Sequence, residues 1–188
     1  MKKPRKSSYH STKPKCYKIY NVSADNECLF NAIAYGVLYH FKNNKIAGRC
    51  YKDLAKKLRK RVVEVFEEEV SNGNKKFIEK LCCEYIVMSE TDGPDDPKDN
   101  SYQKEYAERY IEHMKKKSTW GGSPEILALT KYIHTRGFKG IKVYEYEEGE
   151  YKVIKSMCTK SMSKNKYPHI NLLLHGVKMG GVHFDFMV

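Results

Sequence analysis

No run in this sequence is apolar for long enough to cross a bilayer. The longest, Cys28 to Tyr39, is well short of the about 20 residues that a spanning helix needs. No apolar core of a signal peptide follows the basic start MKKPRKSS, so no export signal of the usual kind is expected. C-x-x-C pairs are missing. The six cysteines, Cys16, Cys28, Cys50, Cys82, Cys83 and Cys158, are scattered, and two of them are adjacent. That spacing fits neither a disulfide framework nor a zinc cluster, and a reducing compartment is the simpler inference. Without an export signal, the sequon Asn21-Val22-Ser23 reads as accidental. Missing too are H-E-x-x-H, a Walker A loop, G-x-G-x-x-G and G-x-S-x-G, which sets aside the commonest zinc-protease, nucleotide-binding and serine-hydrolase patterns.

Acidic residues are few beside basic ones, 23 Asp+Glu against 35 Lys+Arg, for a formal charge of +12. Seven of the cations precede the first acid, Asp25, and without them the charge is about +5. The excess is therefore concentrated in a tail, and residues 1 to 18 read as a basic, flexible arm. Charge so placed is a weak argument for a nucleic-acid binder, and no specific nucleic-acid partner is expected.

The remaining residues, 19 to 188, have a one-domain length. Cys28 to Phe41 fits a buried helix. From Tyr51 to Val70, Leu54, Leu58, Val62, Val65 and Phe66 share one helical face, with Lys and Glu opposite. Helical spacing resumes from Lys75 to Met88 after Gly73. The segment ETDGPDDPKDN, 90 to 100, reads as an acidic loop whose acids are not spaced for calcium. Tyr102, Tyr106, Tyr110 and Met114 form a stripe expected to be core, and Ser123-Pro124 opens another helix, with the serine as its cap. After Gly140 the pattern turns to strands: Ile141 to Tyr146 with Tyr151 to Ile154, then Ile170 to His175 with Val182 to Val188. Helices first and strands last predict an α+β fold.

Two places carry chemistry. Cys28 follows Asp25-Asn26-Glu27 and opens the apolar helix. The positive end of a helix dipole stabilises a thiolate, so a lowered pKa is expected there. The turn before it is placed to offer N–H groups to an oxyanion. The second place is His183-Phe184-Asp185 on the last strand. Residues i and i+2 of a strand lie on one side, about 6.6 Å apart at Cα, so Asp185 can orient the His183 ring. Phe184 and Phe186 then face the core. Each signal alone also fits a core cysteine or a surface His–Asp pair.

Together they resemble one family. Asp25-Asn26-Glu27-Cys28-Leu29-Phe30 is similar to the cysteine motif of the ovarian tumour (OTU) proteases, His183-Phe184-Asp185 to their histidine motif, and Thr119-Trp120-Gly121-Gly122 to their Trp-Gly segment. Asn26 stands where Gly is common, and Phe184 replaces the commoner Tyr. The resemblance implies a papain-like fold, with helices around a small, mostly antiparallel sheet, and residues 19 to 188 as the catalytic domain. It implies a deubiquitinase in which Cys28 attacks, His183 is base and acid, Asp185 orients His183 and Asp25 organises the oxyanion loop. It implies no cofactor or metal. The implied partner is ubiquitin or its chains, met by a monomer in the cytosol, or in host cytosol for a bacterial or viral source. A ubiquitin-like modifier as substrate, or a non-catalytic ubiquitin-binding module, remain as alternatives. Trp120 is expected to be a packing anchor beside the site.

Overall fold

The computed structural model describes residues 17–42, 50–89, 101–158, 166–175 and 183–188. The acidic loop at 90–100 and most of the basic arm lie outside the described residues. Of the arm, Tyr17 and Lys18 are described. The Tyr17 ring packs against Tyr144 and Tyr151, and Lys18 exchanges two backbone hydrogen bonds with Val188, at 2.9 and 3.0 Å.

The described order is β1 (Ile19–Tyr20), α1 (Cys28–Phe41), α2 (Cys50–Ser71), α3 (Lys75–Ser89), α4 (Ser101–Met114), α5 (Ser123–His134), β2 (Phe138–Glu147), β3 (Glu150–Cys158), β4 (Tyr167–His175) and β5 (His183–Met187). Helices precede strands, as the α+β reading expects. The strands form one sheet in the order β1-β5-β4-β2-β3. Its pairings are antiparallel except for β2 with β4. The β2–β3 hairpin turns at Glu148 and Gly149, both at positive φ (52° and 85°), the backbone that a tight two-residue hairpin requires.

Helix α1 is the centre of the fold. Residues 28 to 34 of it are all buried, because apolar side chains surround the helix where it lies between α2 and strands β4 and β5. Contact with the sheet is closest at Gly36. A Cβ there would fall 2.8 Å from both Ile170 Cγ2 and Phe186 Cε2, so only glycine fits without displacement. Phe186, fully buried, is ringed by Tyr20, Tyr35, Tyr39 and His40. Burying one such ring is worth about 1.5–3 kcal/mol.

Helix α2 buries Leu58, Val62, Val65 and Phe66, as its stripe predicts. It also buries Arg59, a cation within the apolar stripe. Tyr110 and Met114 of α4 are core, and Tyr106 packs against that core. The cap of α5 differs from expectation. Gly122, not Ser123, is the N-cap, and its N–H donates to Glu125 Oε2 at 2.6 Å. The Ser123 hydroxyl instead meets Lys155 Nζ.

Candidate active site

The turn before α1 is organised by Asp25. Its carbonyl accepts the Cys28 N–H at 2.9 Å. Its Oδ1 accepts the Glu27 N–H at 3.0 Å and the Asn31 Nδ2–H at 3.3 Å. Two of the turn's amides are thus directed back into the turn, so the set available to an oxyanion is narrower than expected.

Arg59 holds the same turn from behind. Its Nη2 donates to Asn26 O at 3.0 Å and to Thr119 O at 2.9 Å. Its Nη1 donates to Met114 O and Lys116 O, each at 3.3 Å. Nε lies 2.9 Å from Glu27 Oε1, a charge contact rather than an aligned hydrogen bond. The guanidinium also lies over the Phe30 ring, 4.4 Å from its centroid. One buried cation so ties the cysteine turn to the segment leading into Trp120. Burial lowers its pKa, and the charges of Glu27 and Glu125 oppose that shift. The Trp-Gly segment has a second anchor in Glu125, which is fully buried. Besides Gly122 N–H, it accepts the Tyr110 O–H at 2.9 Å, and burial pushes its carboxyl up.

Cys28 is the first residue of α1 and is 3% exposed. Its pKa is raised, not lowered as the helix-dipole argument predicts. Burial is the largest cause, and the charges of Asp25 and Asp185 add to it. The backbone N–H groups of Phe184 and Leu29 pull the other way without winning. The dipole is present, but a buried thiolate loses its water, and here that loss dominates.

Phe184, whose backbone N–H favours the Cys28 thiolate, is the neighbour of His183 on β5, and β5 packs against α1. On that strand His183 Nε2 lies 3.1 Å from Asp185 Oδ1, the i, i+2 pairing that the sequence predicts. With Nε2 on the carboxylate, Nδ1 is the ring nitrogen that Asp185 does not engage. Strand β5 is interior, between β1 and β4, so this is no surface pair on an edge strand. Phe184 and Phe186 are buried in the main core, as expected. Asp185 is buried as well, and its Oδ1 also accepts the Val22 N–H at 2.8 Å. A second histidine reaches the same carboxylate: His175 Nε2 lies 2.9 Å from Oδ2.

Neither Arg59 nor His175 was singled out from the sequence. The sign for Arg59 was its position on the stripe Ala55, Leu58, Val62, Phe66, one step from Leu58. The sign for His175 was its place at the end of the strand expected to pair with that of His183.

Trp120 is 41% exposed, so it is not the packing anchor expected. It lines an open cavity of about 570 Å³ together with Val87, Met88, Gly121, Gly122 and Phe184. The cavity therefore reaches Phe184 on β5, the residue beside His183. Among the described residues, no group of three or more His, Cys, Asp or Glu is arranged to hold a metal ion. No described helix is long and apolar enough to cross a membrane.

The sequence matches the family model of the OTU-like cysteine proteases over residues 23–183, a span that includes Asp25, Cys28 and His183 and stops just before Asp185. No curated protein matches it. Among solved structures, an OTU deubiquitinase from Wolbachia pipientis wMel superposes with a TM-score of 0.54 at 15% identity, over 93% of this chain and 90% of that one. The viral OTU domain protease from Farallon virus gives 0.54 at 15% identity, over 92% and 83%. These two likenesses bear on the fold, while the match of the family model covers most of the sequence. The chain belongs to the OTU-like cysteine proteases.

Proposed function

We propose that the chain is a deubiquitinase, which hydrolyses the isopeptide bond after the C-terminal Gly-Gly of ubiquitin through a thioester on Cys28. The observation that carries this reading is a His183 ring held on buried Asp185, on the strand β5 that packs against the helix opened by Cys28. The Wolbachia neighbour of the same fold is a deubiquitinase, which favours ubiquitin as substrate.

The raised pKa of Cys28 decides how the first step runs. The proton rests on sulfur and is handed to His183 Nδ1 as the sulfur attacks the glycine carbonyl. The Asn26 amide, in the turn before Cys28, is assigned to the oxyanion. The tetrahedral adduct collapses as the C–N bond breaks and His183 returns its proton to the departing lysine amine. Water, deprotonated by His183, then attacks the thioester. The C–S bond breaks, and the sulfur recovers the proton. Asp185 keeps His183 in the tautomer with Nε2 protonated. Asp25 stays outside the proton transfers and shapes the turn. The cavity beside Trp120 is assigned to the ubiquitin tail.

The test is a ubiquitin probe with a C-terminal electrophile, on wild type and on Cys28→Ala. A covalent adduct on wild type alone is the expected result. No adduct on folded wild type overturns the ubiquitin reading, and probes built on ubiquitin-like modifiers then separate a related peptidase from a binding module.

A further inference from the structure

Asp185 has more partners than a triad needs. Oδ1 receives the Val22 N–H at 2.8 Å and faces His183 Nε2 at 3.1 Å. Oδ2 faces His175 Nε2 at 2.9 Å. His175 and His183 are directly opposed residues of β4 and β5, and their rings lie 5.5 Å apart, tilted by 32°. The carboxylate between them is 4% exposed, His183 23% and His175 44%.

We infer that His175 is a positioning residue for the reaction at Cys28, acting through Asp185. The torsion that turns a carboxylate about its Cβ–Cγ bond is soft and broad. Val22 and His183 both hold one oxygen, and two contacts on a single oxygen leave the plane of the group free to swing about it. A donor on the other oxygen stops that swing. His175 supplies this donor from the neighbouring strand, where the sheet register fixes its position. The plane of Asp185 then fixes the plane of the His183 ring, and with it the direction of Nδ1. His175 also gives Oδ2 a hydrogen bond in a place almost closed to water, where an unmet carboxylate oxygen is costly. Its role touches neither substrate nor sulfur. It sets the orientation of the group that does.

The inference rests on the reading of Cys28 and His183 as the reacting pair, not on ubiquitin as substrate. The test keeps the two apart. Wild type, His175→Leu and His175→Gln are compared by three readouts: kcat and KM on a fluorogenic ubiquitin C-terminal amide, the iodoacetamide labelling rate of the Cys28 peptide by mass spectrometry, and thermal midpoint. Gln can place an N–H near the position of Nε2, whereas Leu cannot. His175→Leu is expected to lower kcat roughly tenfold, with KM unchanged, and to slow labelling of Cys28 in parallel. His175→Gln is expected to restore both rates to within about twofold of wild type. The ¹⁵N signature of His183 is expected to show the Nε2-protonated tautomer in wild type and in His175→Gln, and a tautomer mixture in His175→Leu. Equal labelling rates in wild type and His175→Leu overturn the inference. So does a slow His175→Gln whose thermal midpoint falls with that of His175→Leu, because His175 is then only structural. Wild type that labels as expected but does not cleave the ubiquitin amide counts against ubiquitin alone, and the labelling and ¹⁵N readouts still decide the role of His175.

Discussion

The two halves of the site are held by opposite charges used in opposite ways. On the cysteine side, a buried cation, Arg59, gathers backbone carbonyls from the cysteine turn and from the segment before Trp120. On the histidine side, a buried anion, Asp185, gathers one backbone N–H and two imidazoles. Most partners of Arg59 are main-chain atoms, which no substitution of the residues that carry them removes. Among the described residues, two of the three hydrogen-bond partners of Asp185 are side chains, which can be changed one at a time. The nucleophile half should therefore fail as a unit, and the base half should degrade by steps.

The largest effect tests whether the halves act together at all. Cys28→Ala and His183→Ala should each remove cleavage, by about 10⁴-fold or more, without loss of fold. Substantial turnover by either variant breaks the pairing of the two halves. Asp185→Asn should keep its shape and slow kcat by about 10²–10⁴-fold, because the amide presents an N–H where His183 needs an acceptor and so favours the wrong tautomer. A kcat within twofold of wild type would mean that the base side does not depend on this anion.

Arg59→Met removes the cation and leaves its carbonyls and Glu27 without it. A loss of about 3–5 kcal/mol in urea unfolding is expected. A loss below about 1 kcal/mol would mean that the turn stands without Arg59. The raised pKa of Cys28 makes a further prediction. In His183→Ala, labelling of Cys28 by iodoacetamide should rise with pH and reach half its maximum above the ordinary thiol value of about 8.5. The sign follows from burial. The folded state favours the neutral thiol, so the stabilising share is present below the unfolded pKa and is lost as pH rises through the folded one. A midpoint below 8.5 would restore the helix dipole as the dominant influence. The smallest effect lies on the exposed hairpin, where Lys152 pairs with Glu147 and Glu148. Lys152→Ala should leave the thermal midpoint and cleavage unchanged, because such pairs are screened by solvent.

The parts of this molecule that could be read from its sequence are those with local causes. The bounds of α1 follow from an unbroken apolar run, and those of α2 and α3 from stripes bounded by Gly73. The His183–Asp185 contact follows from the two-residue period of a strand. The parts that could not be read depend on segments far apart in sequence. Nothing local says that β2 lies parallel to β4, or that β5 is interior. Arg59 looks like one more cation on a charged helix until its carbonyl partners arrive from residues 26, 114, 116 and 119. The pKa of Cys28 departs from the local expectation for the same reason. The dipole that favours the thiolate belongs to its own helix, whereas the burial that opposes it comes from the elements packed around it.

The hydrogen bond between Val22 and Asp185 joins residues 163 positions apart. It belongs to the meeting of β1 with β5, which brings together the first and last described strands. Contacts that span so much chain carry a large loop-closure cost and form slowly. Until they form, Asp185 lacks the Val22 N–H on one of its oxygens and a strand on one side. On the proposed reading of the site, the carboxylate that orients the base thus depends on the two ends of the described chain having met.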